Sequence, residues 1–206
     1  MSTSKGSLVI VSAPSGAGKT TLVKALTKAM SEVCVSISYT TRSMRPEEQD
    51  GVDYHFVSHD EFKAMLREGV FLEHAQVFGN FYGTSRVWVE ETRHKGLDVI
   101  LEIDCQGAKQ VRTQFVETQS IFILPLSREI LEERLAKRHP DNVQIIQERM
   151  AEAKEEMSHY NEYDYLIFND RFEDALEDLK SIIRCQRLQW RRSQAGRVGL
   201  IEKLLS

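Results

Sequence analysis

Residues Ala13 to Thr20 read A-P-S-G-A-G-K-T, behind the apolar run Leu8-Val9-Ile10-Val11 and ahead of a helical pattern. A glycine turn between a strand and a helix aims successive backbone N–H groups at one point, where the helix adds the positive end of its dipole. That arrangement grips a polyphosphate. Pro14, Ser15, Gly16, Ala17 and Gly18 form the cradle and Thr21 continues it into the helix. Lys19 supplies a point charge on the outer phosphates, and the Thr20 hydroxyl a ligand for Mg²⁺. The ligand class implied is a nucleoside triphosphate with magnesium; the alternative is a glycine-rich surface turn with an unrelated lysine. Ala13 stands where such turns usually open with Gly, at little cost if its φ is negative.

A second group of chemistry-bearing residues follows. Arg42 and Arg45 lie three apart, with Pro46 and then Tyr54 behind them. Two guanidinium forks so spaced could hold one phosphate, or they form a solvated basic loop. Further on, Arg134 and Arg138 are four apart on one helical pattern, and Arg149 sits on the next. They either pair with Glu132 and Glu133 on a solvent face or close on a phosphoryl group undergoing transfer.

These residues need a scaffold. The chain has 206 residues and a formal net charge of −4, enough for one domain with a real core. Nothing in that balance draws nucleic acid or an anionic membrane, so an anionic substrate must be met by local arginines. Cys34, Cys105 and Cys185 lack zinc spacing, and no apolar run approaches membrane-spanning length, which makes a cytoplasmic protein the expectation. Strands are expected at Leu8–Ser12, Val35–Ser38, Tyr54–Val57, Phe71–Val77, Asp98–Ile103, Ser120–Leu124 and Tyr165–Phe168. Helices are expected at Thr20–Met30, from the capping box Ser58/Glu61 to Gly69, and from Ser85 to Gly96. Further helices run from Ser127 to Arg138 with a break at His139-Pro140, over Val143–His159, and from Phe172 to about Gln194. Alternating strands and helices predict an α/β fold with a parallel sheet, ligands lying beyond the carboxyl ends of the strands. Two stretches interrupt that rhythm: an aromatic, β-rich segment from Ser38 to about Tyr82, and a charged helical segment from Arg134 to about Met157.

The runs S-I-S-Y-T-T-R-S-M-R-P, F-L-E-H-A-Q-V-F-G-N-F-Y-G-T-S and L-E-I-D-C-Q-G-A, taken with the phosphate turn, resemble the guanylate kinase family over roughly Gly6 to Arg192. The resemblance implies transfer of the γ-phosphoryl group of ATP to GMP, with dGMP as a further acceptor, in purine nucleotide recycling. It implies a P-loop NTPase-like core (6–37, 83–133 and 160–192), an inserted GMP-binding subdomain (about 38–82) and a helical lid (about 134–159). The family-like domain would span 6–186, and a helical tail over 193–206 is amphipathic enough to pack on the core or on a second copy. Position by position, Arg42, Arg45, Tyr54 and Tyr82 resemble the residues that hold the GMP phosphate. Ser38, Glu73, Thr84 and Asp104 resemble those around guanine, and Asn169 resembles a position beside adenine. Lys19, Arg42, Arg134, Arg138 and Arg149 resemble the catalytic cations, with Thr20 and Glu102 on the magnesium side. Glu102 stands where the family often has Asp, and Thr84-Ser85 reverses a Ser-Thr order.

The chemistry of the pieces agrees with that resemblance. Guanine offers N1–H and N2–H₂ as donors, which suits carboxylates; adenine would set a lone pair against Glu73, which taken alone reads more readily as a strand-edge carboxylate. No His or Asp stands out as a general base, and a monophosphate acceptor needs none, since its second pKa is about 6. Three rival readings remain: a scaffold domain using the second pocket for phosphopeptides, a kinase of another small phosphate, and a bare ATPase. The first has no use for Gly16, Gly18, Lys19, Thr20 and the lid arginines, the second none for Ser38 and Glu73, the third none for Arg42 and Arg45.

Overall fold

The computed structural model describes residues 5–138 and 142–206, side chains at 138 and 190–197 excepted. Strand β1 (Leu8–Ser12) carries five consecutive buried residues, as a strand covered on both faces must. Its side chains alternate: Leu8 and Ile10 face one apolar cluster, Val9 and Val11 the other. Helix α1 (Lys19–Ala29) follows, then β2 (Val33–Val35). Three short or edge elements come next: β3 (Tyr39–Thr40), β4 (His55–Phe56) and α2 (His59–Arg67). Ser58 and Glu61 cap α2 reciprocally, and Gly69, at φ 69°, ends it. The hairpin β5 (Phe71–Val77) and β6 (Asn80–Ser85) leads into α3 (Arg86–His94), whose Ser85 cap accepts from the Trp88 amide.

The core then resumes with β7 (Asp98–Glu102), α4 (Cys105–Gln114) and β8 (Gln119–Pro125). Two charged helices, α5 (Arg128–Arg138) and α6 (Val143–Ser158), precede β9 (Tyr165–Asn169), α7 (Phe172–Leu188) and α8 (Trp190–Leu205). The five-stranded sheet has the order β2-β7-β1-β8-β9, parallel throughout. Helices α1 and α7 cover one face through Leu22, Leu26, Leu179 and Ile183. On the other face Val89 of α3 and Val111 of α4 pack against Leu101 and Phe122. The α/β expectation and the central strands therefore hold, within a residue or two at their ends.

A second, four-stranded sheet in the order β4-β3-β6-β5 carries the aromatic segment. It is organised on Phe62 of α2, which is fully buried and stacks on Phe71 at 4.5 Å and Phe81 at 5.4 Å. It runs to Ser85, slightly past the expected limit at Tyr82. The α5–α6 pair has a small core of its own, Leu131, Leu135 and Ala153.

Three local expectations need correction. The strand expected over Val35–Ser38 ends at Val35, because Val33, Cys34 and Val35 take the register opposite Asp98, Val99 and Ile100. The helix expected from Phe172 to about Gln194 breaks at Gln189, whose ψ of 132° is extended, and α8 continues from Trp190 through the tail. Helix α4 was not expected at all, since its sequence, C-Q-G-A-K-Q-V-R-T-Q, is polar and holds an internal glycine. The break expected at His139-Pro140 lies outside the described residues.

Replacing Phe62 by Ala removes the ring on which the second sheet closes, a loss of about 3–5 kcal/mol for a buried aromatic. Urea denaturation of Phe62→Ala should show it; a change below about 1 kcal/mol would mean the sheet does not depend on that stack.

Candidate active site

The turn between β1 and α1 has the shape its sequence requires. Gly16 and Gly18 adopt φ of 92° and 93°, a left-handed backbone that disfavours a side chain. A Cβ on Gly18 would come within 2.5 Å of the Asn169 amide nitrogen, and one on Gly16 would press on Leu131 and Leu135. Ala13 does not appear among the described non-glycine residues with positive φ, so the expected tolerance of Ala there is met. The Ala17 N–H donates to the Pro14 carbonyl at 3.1 Å, which tightens the turn.

Four side chains hold this loop from outside. Asn169, buried at the end of β9, donates to the Ala17 carbonyl at 2.7 Å. Arg134 of α5 donates to the same carbonyl at 3.3 Å and approaches that of Gly16 at 3.5 Å. Arg149 of α6 donates to the Ser15 hydroxyl at 3.1 Å, and its guanidinium lies 4.6 Å from the Phe78 ring in the β5–β6 turn. Glu156, two turns further along α6, accepts from the Ser15 N–H at 3.2 Å. Burial raises the Glu156 pKa, and the positive charge of Lys19 opposes that rise. The side chain of Arg138 lies outside the described part of the structure.

Thr20, at the start of α1, donates its hydroxyl to Glu102 at 2.9 Å, at the carboxyl end of β7. Hard oxygen donors so paired suit Mg²⁺, which keeps most of its shell as water and phosphate and needs few protein ligands. Among the described residues no three acidic, His or Cys side chains form a complete metal cage.

Just past β3, the Arg42 guanidinium packs on the rings of Tyr54 and Phe56, its Cζ at 5.3 and 5.7 Å from their centres. Glu48 takes its fork at 2.7 and 3.0 Å, and Tyr82 lies nearby. Arg45 is half exposed and shares Glu48 at 3.7 Å. Burial pushes the Tyr54 phenol up to about 12, and its neighbours Tyr82 and Glu102 add to the rise while Arg42 opposes it. Asp53, next to Tyr54, pairs with Lys24 of α1 at 2.9 Å, which ties this arginine cluster to the helix that follows the phosphate loop. Ser38 lies just before β3, half-buried, its carbonyl accepting from His55.

Glu73 lies on β5, the edge strand of the second sheet. Glutamines of α4 cover that open edge: Gln110 exchanges hydrogen bonds with both backbone groups of His74, and Gln114 donates to the Leu72 carbonyl. The carboxyl is almost wholly buried and accepts from Thr84 at 2.5 Å. Ser85 is committed to its helix cap, so of the two neighbouring hydroxyls Thr84 faces Glu73. Burial pushes the Glu73 pKa up to about 7, and the nearby Asp104 charge adds to the rise against the Thr84 bond. Asp104 caps α4 through the Gly107 N–H at 2.8 Å. A Cβ on Gly107 would come within 2.3 Å of the Glu73 carboxylate, so this glycine makes room for it.

The structure thus gathers Thr20, Glu102, Arg134, Arg149 and Asn169 around the glycine loop. Arg42, Arg45, Tyr54 and Tyr82 cluster at the second sheet, which also carries the buried pair Glu73 and Thr84. Sequence reasoning missed Glu48, Glu156, Gln110 and Gln114. Only Glu48, six residues after Arg42, carried a local signal.

A model of the guanylate kinase family matches residues 5–186. Guanylate kinase of Hahella chejuensis is 60% identical, over 90% of this chain and 89% of its own. That of Vibrio parahaemolyticus is 55% identical, over 98% of this chain and 99% of its own. The crystal structure of guanylate kinase from Anaplasma phagocytophilum superposes with a TM-score of 0.78 at 34% identity, covering 93% of this chain and 92% of that one.

The Glu73 pKa makes stability depend on pH. The native carboxyl holds its proton up to about 7 while an unfolded one releases it near 4.5. Its contribution is fully present below the lower value and is lost as pH rises through the upper. Urea denaturation at about pH 5 and about pH 8 should show the wild type losing stability relative to Glu73→Gln on going up. A constant difference would contradict the burial argument.

Proposed function

The chain belongs to the guanylate kinase family, and we propose that it transfers the γ-phosphoryl group of MgATP to GMP, giving ADP and GDP. The reading is supported by two candidate anion sites, the glycine loop with Lys19 and the pair Arg42 and Arg45, on parts of the molecule that the Lys24–Asp53 ion pair at 2.9 Å and the Arg149–Phe78 contact tie together.

The residues divide the work as follows. The loop from Ala13 to Thr21 receives the ATP phosphates, its carbonyls already held by Asn169 and Arg134 and its Ser15 hydroxyl by Arg149. Thr20 and Glu102 would hold magnesium, which when bound offsets charge on the phosphates. Arg42, Arg45, Tyr54 and Tyr82 take the GMP phosphate. Glu73, Thr84, Ser38 and Asp104 surround guanine, with ionised Glu73 accepting from the donor edge of the base. A pocket built to accept from N1–H and N2–H₂ rejects adenine strongly, because buried polar groups would be left unpaired. The acceptor oxygen is already anionic near neutral pH, so no general base is required. Positioning and charge neutralisation carry the step. Lys19 and the arginines of α5 and α6 stabilise charge on the moving phosphoryl group, and closure of those helices over the nucleotides would keep water away from it.

Among the described residues no helix is long and apolar enough to cross a membrane. A cytoplasmic enzyme acting on small nucleotides, without a nucleic-acid partner, is consistent with the net charge of −4.

Lys19→Ala should lower kcat for GMP phosphorylation by about 10²- to 10³-fold while circular dichroism stays native; near-normal turnover would remove Lys19 from the mechanism. Because guanine requires the Glu73 carboxylate ionised, guanosine should bind more weakly as pH falls below about 7, with that dependence absent in Glu73→Gln. Guanosine avoids the phosphate titration of GMP. Calorimetry showing the same pH profile in both proteins would exclude Glu73 from the base pocket.

A further inference from the structure

Arg42 has five N–H donors, and the structure shows where three of them go. Nη1 donates to the Ser43 carbonyl at 2.7 Å and to Glu48 Oε2 at 3.0 Å, while Nη2 donates to Glu48 Oε1 at 2.7 Å. Glu48 and Ser43 therefore leave Nε–H and the second Nη2–H, two parallel donors on the opposite edge of the guanidinium plane. That is the edge a phosphate takes in a forked contact. The same carboxylate also organises the second arginine. Its Oε2 accepts from the Arg45 backbone N–H at 2.9 Å, and its Oε1 lies 3.7 Å from Arg45 Nη1.

We infer that Glu48 is a positioning residue of the monophosphate clamp, holding Arg42 by its outer fork and Arg45 by its backbone so that their remaining donors converge on one phosphate. The inference rests on the assignment of Arg42 and Arg45 to the GMP phosphate. Burial favours support over competition for the same donors. The Glu48 side chain is only 11% exposed, against 17% for Arg42 and 50% for Arg45, so the carboxylate lies no nearer the surface than the arginines it holds. Its pKa is lowered, first by the hydrogen bond from Arg42, so it is charged throughout the working range.

Two effects of removing this charge oppose each other. Loss of a carboxylate makes the clamp more positive, which by itself would tighten a phosphate dianion. Loss of the fork frees a long side chain whose ordering must then be supplied by the ligand. The second dominates here, because a bidentate charge-assisted contact fixes the plane of the guanidinium and not merely its position.

The test uses the full chain and initial rates, with GMP varied at saturating MgATP and then the reverse. Glu48→Gln should raise KM for GMP by about 10- to 100-fold, with a smaller change in kcat and an unchanged KM for ATP. Inhibition by guanosine, which has no phosphate, should be unaffected. Glu48→Asp should recover part of the loss, since it restores the charge one methylene short. Arg42→Ala serves as the reference. If it raises KM for GMP while Glu48→Gln and Glu48→Asp do not, the positioning role is wrong and the phosphate assignment stands. If Arg42→Ala leaves KM unchanged, the assignment fails and the inference falls with it. Tighter GMP binding in Glu48→Gln would show that Glu48 competes with the phosphate. Equal weakening of guanosine would show that Glu48 only maintains the second sheet.

Discussion

A loop can present its amides to an anion at low cost only if something other than the anion holds it open. That constraint shapes the region around Gly16 and Gly18. Both glycines are left-handed, and both are packed so closely that a single added carbon would strike Asn169 or the leucines of α5. The loop carbonyls, which would otherwise collapse onto the amides, are taken by Asn169 and Arg134. Ser15 is gripped at its hydroxyl by Arg149 and at its amide by Glu156. The parallel sheet supplies β1 and β9 as rigid ends for this arrangement, and the α5–α6 pair supplies the rest. Arg149 reaches both Ser15 and the Phe78 ring, so the helical pair touches the phosphate loop and the second sheet together.

The second sheet follows a related logic. Its edge strand β5 must bury a carboxyl, which is expensive unless the group is held and its partners are fixed. Glutamines of α4 pin the backbone of that strand, Thr84 satisfies one carboxyl oxygen, and Gly107 leaves the space. The remaining cost appears as the raised Glu73 pKa. The site holds a group poised to change charge near neutrality, and the expected guanine contacts are what would pull it to the ionised form.

Much of this was legible in the sequence where the cause is local. The apolar run of β1, the turn glycines, the reciprocal cap of Ser58 and Glu61, and the Ser85 and Gly96 bounds of α3 are each set by residues within a few positions. What escaped was set by distant partners. Helix α4 has a polar, glycine-containing sequence, and its glutamines make sense only once β5 lies alongside as an edge. The two-residue strands β3 and β4 exist because each finds a neighbour across the second sheet. Glu156 looked like one more acid on a charged helix until α6 was seen against Ser15. Residue types and spacing revealed the arginines, whereas the side chains that orient them needed the fold.

The central claim is that the loop with Lys19 and the cluster with Arg42 face each other closely enough for a phosphoryl group to pass directly between two nucleotides. The most direct measurement follows products by phosphorus NMR after mixing the purified protein with MgATP and, separately, GMP, AMP, CMP and UMP. The account predicts ADP and a nucleoside diphosphate in equal amounts with GMP, little product with the others, and negligible free phosphate. Free phosphate without diphosphate, or equal use of all four acceptors, would contradict it.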